Sequence, residues 1–287
     1  MAPRNQLLNR SKALFAGRDE GAYTLPADLM SYWDAIPRLR EMQVAANQRA
    51  MAADPGAVRS RLAALLPDAV RKGNVPDGWI EDLNRAQEAQ IRAGAEYAVL
   101  GEAVGLAESL LVRVINSSAD ELITDNLRPA MDEVLDGVRK AIEAAKGDPT
   151  TLPPRALARA DKPVRDAFVV IEEAAERYGL IRSAQTAIQS VTGDVDADAW
   201  ALFAEFKNLP ALWPNFAWRQ PGNVPPWPRE AAPRMVWLLR PEVGVWMPTS
   251  VECNDAYTQY VRFAGTNNPR MEGIRAMPVE PTSVLTK

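Results

Sequence analysis

Apolar residues recur at helical spacing over a long central stretch of the chain. Residues 79–148 contain one proline, Pro129, and strong helix formers throughout, which predicts two long helices. The first is predicted over about Trp79 to Ile115. The second begins at a capping box, Ser118 with Glu121, and we expect a bend or a restart at its proline. Its apolar positions form a heptad-like series: Leu127, Met131, Val134, Val138, Ala141 and Ala145. We expect the two helices to pack as antiparallel partners.

A third long helix is predicted between Asp161 and Gly193. Asp161 and Pro163 supply an N-cap and a first-turn residue, and apolar positions follow at helical spacing. These positions are Phe168, Ile171, Ala175, Tyr178, Ile181, Ile188 and Val191. Two shorter helical stretches, at about 26–54 and 57–72, precede the long helices. The pattern predicts a mainly α protein, built as an elongated helical bundle or a coiled-coil-like hairpin.

The composition changes abruptly after about residue 207. Twelve of the 23 prolines and five of the eight tryptophans fall in the last 81 residues. Proline removes a backbone donor and restricts the residue before it, so residues 209–234 are expected to form extended, polyproline-like chain. The stretches Met235 to Leu239 and Val243 to Met247 are candidates for a small β-hairpin around Pro241.

These patterns divide the chain into four parts. Residues 1–22 are expected to form a basic N-terminal arm, and residues 23–78 a small helical unit that ends in a glycine- and proline-containing loop. Residues 79–206 make up the long-helix bundle. Residues 207–287 make up an extended Pro/Trp-rich arm with the short hairpin and a tail.

The first long helix carries a stripe of small residues. Gly94, Ala98, Gly101 and Gly105 recur at spacings of four, three and four, which places them along one helix face. Glycine inside a helix costs about 0.5–1 kcal/mol relative to alanine, so the stripe needs a compensating gain. We interpret it as a close helix–helix contact. An internal contact with the second long helix is favoured over a dimer seam, because that helix is adjacent in sequence.

The tryptophans of the arm are candidate interface anchors: Trp213, Trp218, Trp227, Trp237 and Trp246. Tryptophan is enriched at binding hot spots, and a proline-stiffened segment loses less entropy on docking than a flexible one. We expect these side chains to pack against the protein's own helices or against a neighbouring subunit. A solvent-facing surface that stacks on carbohydrate or another ligand is the alternative.

An acidic run copies part of an EF-hand calcium loop. Asp194, Asp196 and Asp198 alternate, and Glu205 follows where the loop would place its last ligand. The position that requires glycine is Ala199, and an amphipathic helix begins there. We therefore expect the carboxylates to stabilise the N-terminus of that helix, and we predict no bound metal.

Composition narrows the available chemistry. The chain has no histidine and one cysteine, Cys253, which excludes histidine-based triads and cysteine clusters for zinc or iron–sulfur. No phosphate-binding glycine motif occurs, so no cofactor is predicted. The net charge of −4 provides no global field for nucleic acid, and no apolar run reaches the length of a membrane span. The cysteine has acidic neighbours and is expected to be inert.

A helical rod joined to an aromatic, proline-rich arm suits a subunit of a large assembly. We therefore interpret the chain as a non-enzymatic structural protein that binds copies of itself and neighbouring subunits. Its most concrete form would be a bacteriophage capsid, connector, tail or scaffolding component, made in the cytoplasm and carried in the virion. A cytoplasmic helical adaptor or regulatory protein is the alternative. A carboxylate- or tyrosine-based enzyme ranks third.

Overall fold

Helices dominate the structure, as the sequence predicts. The computed structural model of the chain describes residues 4–73, 78–192, 202–213 and 224–267. Its helices are α1 (Arg4–Asp19), α2 (Ala27–Ala52), α3 (Pro55–Arg71), α4 (Trp79–Ser117), α5 (Ala119–Glu121), α6 (Arg128–Ala145), α7 (Pro154–Leu157), α8 (Lys162–Thr192), α9 (Leu209–Leu212), α10 (Ala231–Leu238) and α11 (Ser250–Asn267). Within these described ranges no strand forms, and a single β-bridge joins Phe206 to Val245. The predicted mainly α fold is confirmed.

The central helix of the body is α8. Helices α1 and α6 pack along it, and α10 contacts it from the C-terminal part of the chain. Ile171, Ile181 and Ile188 of α8 are completely buried. All three belong to the apolar series that predicts this helix, so the predicted face is the one that enters the core.

The N-terminal helix is part of the same core. Leu14 and Phe15 of α1 are completely buried, and the ring of Phe15 stacks on Trp33 of α2 with 3.9 Å between the ring centroids. The Tyr23 hydroxyl donates a hydrogen bond of 2.6 Å to the Leu14 carbonyl oxygen. This bond ties the turn after α1 back onto the helix.

Helices α2 and α4 pack against each other in antiparallel directions, and α3, which lies between them in the chain, packs beside α4. We call this three-helix unit the hairpin. Two ion pairs hold α2 to α4: Arg40 to Glu108, with 2.6 Å between nitrogen and oxygen, and Arg49 to Glu96, with 2.7 Å. The core of this hairpin is thin. Helices α2 and α3 bury few side chains: Leu29, Ile36, Ala46, Pro55 and Leu62.

The second long helix of the sequence does not pair with the first. It consists of α5, a π-helical segment (Leu122–Leu127) and α6. The Arg128 N–H donates to the Ile123 carbonyl, five residues back, which is the π register. Pro129 has no N–H and cannot continue an α-helical ladder at this point. Helix α6 then packs along α8, whereas α2 covers α4. The expected antiparallel pairing is therefore wrong.

The predicted β-hairpin is also wrong. Met235 to Leu238 belong to α10, where Ala232, Met235 and Leu238 recur at a spacing of three and are buried. Val243 lies in a turn, Gly244 has a φ of 60°, and Val245 forms its bridge with Phe206. The Lys207 N–H donates to the Gly244 carbonyl, and the Trp246 N–H donates to the Glu205 carbonyl. The described part of the Pro/Trp-rich arm thus contains helices and one bridged segment.

Truncation of a core isoleucine provides the first test of this architecture. Ile171→Ala removes a completely buried side chain in the first half of α8, so we expect the free energy of unfolding to fall by about 2–5 kcal/mol. The adjacent Val170 is 40% exposed, and Val170→Ala should change this free energy by less than about 1 kcal/mol. Urea denaturation followed by circular dichroism measures both. Equal effects would show that α8 is not the central helix.

Candidate functional site

Arg182 of α8 fastens the C-terminal part of the chain to the body. Its Nε donates to the Tyr178 hydroxyl at 2.9 Å, its Nη1 to the Ala204 carbonyl at 2.9 Å, and its Nη2 to the Trp246 carbonyl at 2.8 Å. Two segments far apart in sequence thus meet at one guanidinium. A guanidinium has five N–H donors in a fixed plane, which suits it to hold several carbonyls at once.

Glu205 lies beside this network and is fully engaged. Nη2 of Arg234 lies 2.7 and 2.6 Å from its two carboxylate oxygens, and the Tyr178 hydroxyl donates to Oε1 at 3.0 Å. Burial raises the pKa of Tyr178, so this hydroxyl keeps its proton at neutral pH and remains a donor. The contacts among Tyr178, Glu205 and Arg234 therefore hold α8, α10 and the Glu205 segment together.

The carboxylates considered for calcium are not brought together by the described structure. Asp194, Asp196 and Asp198 lie outside the described residues. Glu205, the fourth member, is occupied by Arg234. Among the residues that the structure does describe, no group of three or more acidic or cysteine side chains is placed to hold a metal ion. The preference for helix stabilisation over calcium stays a prediction.

Four of the five arm tryptophans pack against this chain's own residues. Trp227 is 8% exposed and lies 4.8 Å from Phe206 and 5.2 Å from Trp213, measured between ring centroids. Trp237 is 9% exposed and lies 6.0 Å from Trp227. The Arg234 guanidinium lies 5.6 Å from the Trp227 ring centroid, which adds a cation–π contact.

Trp246 makes a separate contact. Trp246 is half-buried, and its Nε1 donates to the Phe203 carbonyl at 2.8 Å. Trp218 lies outside the described residues. An aromatic cluster of Phe206, Trp213, Trp227 and Trp237 therefore forms inside one chain, and the proposed role of these rings at an interface stays a prediction.

The stripe of small residues on α4 has two different environments. An added Cβ at Gly101 would lie 2.9 Å from Nε2 of Gln43, so this glycine faces α2. An added Cβ at Gly94 would meet no atom within 4 Å, and Ala98 is exposed. Gly105 is half-buried. The stripe therefore follows the edge of the α2 contact and does not lie under a helix along its whole length.

Large apolar side chains are exposed on the side of α4 that faces away from α2. We call this side the outer face and define it by six residues: Ile80, Ile91, Ala95, Ala98, Val99 and Leu106. Ile91 is 72% exposed, Ile80 70%, Val99 65% and Leu106 61%. Reasoning from the sequence missed this face, because it singled out only the small residues of the first long helix. The signal was present, since the apolar positions of this helix fall on both of its sides.

Two open grooves adjoin each other between α6, α8 and the turn after α1, with volumes of about 540 and 750 Å³. Arg177 and Glu133 line both grooves and pair at 2.7 Å. The hydrogen bond and charge of Arg177 lower the pKa of Glu133. Nε of Arg177 also donates to the Ala22 carbonyl. The guanidinium thus ties elements of this chain together, and it is not held out for a ligand.

The remaining candidate for reactive chemistry, the single cysteine, is inert. Cys253 is completely buried, and burial raises the pKa of its thiol to about 12. A thiol with that pKa is protonated at neutral pH and is a poor nucleophile. No helix in the described ranges is long and apolar enough to cross a bilayer.

Comparisons with protein-family models, with curated proteins and with solved structures found no match for this chain. The function must therefore be argued from the geometry of the surfaces described above.

The aromatic cluster generates one prediction. Trp227→Ala opens a cavity between Phe206, Trp213 and Trp237, so we expect the free energy of unfolding to fall by about 3–5 kcal/mol. Val224→Ala, at a nearby side chain that is 63% exposed, is the control and should have little effect. Chemical denaturation measures both variants. A Trp227→Ala protein of unchanged stability that no longer binds neighbouring chains would show instead that the ring is an interface anchor.

The glycines of α4 generate another. Gly94→Ala should raise the free energy of unfolding by about 0.5–1 kcal/mol, because alanine favours the helix and the new methyl group meets no atom. Gly101→Ala should gain less, because the methyl group must displace the Gln43 amide. Thermal denaturation of the two variants makes the comparison. Equal gains would contradict the close approach of α2 at Gly101.

Proposed function

We propose that this chain is a non-enzymatic structural or assembly protein that acts by binding other protein chains, including copies of itself. The observation that carries the proposal is a concentration of exposed apolar side chains on the α2–α4 hairpin. Ten of the fifteen large exposed apolar residues lie between residues 42 and 106, which is about a quarter of the described chain. We call these ten the hairpin surface: Met42, Val44, Met51, Leu65, Val70, Ile80, Ile91, Tyr97, Val99 and Leu106.

Single exposed apolar residues are ordinary on protein surfaces, but their accumulation on one unit marks an interaction surface. The hairpin also has little core of its own. Helix α3 buries Pro55 and Leu62, and α4 buries no residue before Ala93. Contacts with a neighbouring chain would supply the apolar burial that the hairpin lacks. Methionine at two positions of this surface favours adaptable packing against a partner.

The more specific form of the proposal is a bacteriophage virion or scaffolding component, such as a capsid, connector or tail protein. It rests on architecture alone: a long helical hairpin on a body that includes a tryptophan- and proline-rich segment. A cytoplasmic helical adaptor would use the same surface but would form a small complex of fixed stoichiometry. The mass of the native assembly separates the two.

A four-residue variant tests the proposal. We expect Met51→Gln, Leu65→Gln, Ile91→Gln and Leu106→Gln together to abolish assembly, because the variant removes apolar area from three helices. Glutamine favours helices and the replaced side chains are exposed, so the free energy of unfolding of the monomer should change little. Light scattering of the purified protein and sedimentation of native material measure the assembly.

The control is Val169→Gln with Val170→Gln, which changes exposed apolar residues of α8 outside the hairpin. This variant should assemble like the unmodified chain. A chain that remains monomeric in native material, or a four-residue variant that assembles normally, would overturn the proposal.

A further inference from the structure

Helix α4 is apolar on two opposite sides. Its inner side buries Ala93, Leu100, Val104, Ala107, Leu111 and Ile115. At about 100° of rotation per residue, these six lie within roughly 80° of arc, and the outer face spans roughly 100° on the opposite side. A helix with apolar residues all round is normally buried all round. In this chain α2, α3 and the body cover the inner side alone, and the outer face is exposed.

Charged residues on and beside the outer face indicate what covers it. Glu81, Glu88, Arg92, Glu102 and Arg113 are exposed, and none of them forms an ion pair within the described part of the chain. Some other charges of the hairpin are paired within the chain, such as Arg49 with Glu96. An occupant of the outer face that presents matching charges would pair with these groups.

Apart from Glu88, whose symmetric position is Leu106, these charges are complementary to themselves. Arg92 and Glu102 each stand five residues from position 97, and Glu81 and Arg113 each stand sixteen residues from it. Each pair has opposite signs. When a second α4 runs antiparallel about a two-fold axis near position 97, each arginine meets a glutamate of the other copy, and the same two pairs recur on the opposite half.

We propose that the outer face of α4 pairs with the outer face of α4 in a second copy of this chain, antiparallel and centred near position 97. Centring there brings Ala95 and Ala98 to the crossing, where small side chains permit close approach. It places Ile91 of one copy against Val99 and Leu106 of the other, twice by symmetry. Helices α2 and α3 lie on the inner side of α4 and leave this approach open.

The size of the contact is sufficient for a specific dimer. Helix α4 has 39 residues and is therefore about 58 Å long. The proposed axis lies within one residue of its midpoint, so the two helices overlap along almost their full length. A contact about 10 Å wide buries roughly 600 Å² on each copy, or about 1,200 Å² in total. That total lies at the lower end of the range for specific interfaces, which begins at about 1,200 Å².

The inference rests on the proposed function, of which it names one partner and one geometry. Its test is a charge reversal and its rescue in the full chain. Arg92→Glu and Glu102→Arg each place like charges opposite each other twice in the dimer, and we expect each to weaken dimerisation by about tenfold or more. The double variant restores opposite charges at both positions and should recover the dimer. Light scattering over a concentration series measures the three variants and the unmodified chain.

Lys140→Glu is the matched control, because it makes the same change of charge at an exposed position of α6 and should leave the dimer unchanged. A dimer that is insensitive to the reversals, or a double variant that is not rescued, would overturn the antiparallel α4 contact. A chain that is monomeric when pure but enters a larger native complex with another protein would overturn the inference and the binding of copies of itself, and would leave the binding of other chains standing. A chain that is monomeric in both settings would overturn the inference and the proposed function.

Discussion

The C-terminal half of the fold depends on the guanidinium of Arg182. Its hydrogen bonds reach the backbone of the segments before Phe206 and before Met247, and no apolar contact could hold two such segments in register with the same directional precision. Gln185, one turn further along α8, donates to the Pro248 carbonyl and extends the same line of polar contacts. Proline contributes no N–H donor to a backbone ladder, and here side-chain donors of α8 bind carbonyls of the neighbouring segments. The aromatic cluster then packs over segments whose positions are already set.

The body and the hairpin differ in how much apolar surface they bury. In the body, α1, α6 and α10 surround α8, and its isoleucines reach zero exposure. In the hairpin, α2 and α4 meet along one side, and ion pairs at Arg40 and Arg49 contribute where apolar burial is sparse. Arg49 and Glu96 are both exposed, and an exposed ion pair stabilises by about 1 kcal/mol or less, whereas Glu108, the partner of Arg40, is buried. The hairpin is therefore the part of the fold that gains most from contact with another chain.

Local pattern predicted the helices well and their partners badly. The first and third long helices were expected at Trp79 to Ile115 and Asp161 to Gly193, and they occur at Trp79–Ser117 and Lys162–Thr192. Periodicity shows that a helix has an apolar side, but it does not show which element covers that side. Adjacency in sequence therefore suggested that α4 pairs with α6, whereas tertiary packing brings α2 back along α4.

The sequence likewise predicted part of the candidate site and missed the residues that hold it together. Tryptophan and proline content drew attention to the arm, and its rings do cluster, but composition could not supply Arg182 or Arg234 as the residues that hold the cluster in place. The β-branched and aromatic residues of α10 suggested a strand because short apolar segments are ambiguous between helix and strand.

The pattern of α4 shows apolar positions on both sides of the helix, but it does not show which side stays uncovered, because that depends on what packs against the helix.

The charges on α4 also bear on why an exposed apolar surface would give a defined contact. An uncharged stripe of isoleucine, valine and alanine would pair in many registers and in either direction, because apolar burial has no direction. A parallel pair of α4 helices in register would place Arg92 against Arg92 and Glu102 against Glu102, and like charges in contact are unfavourable. A shift of the antiparallel pair by one helical turn would separate the arginine from its glutamate. The same four charges thus disfavour the competing arrangements while they favour one, which is the property that an assembly contact needs.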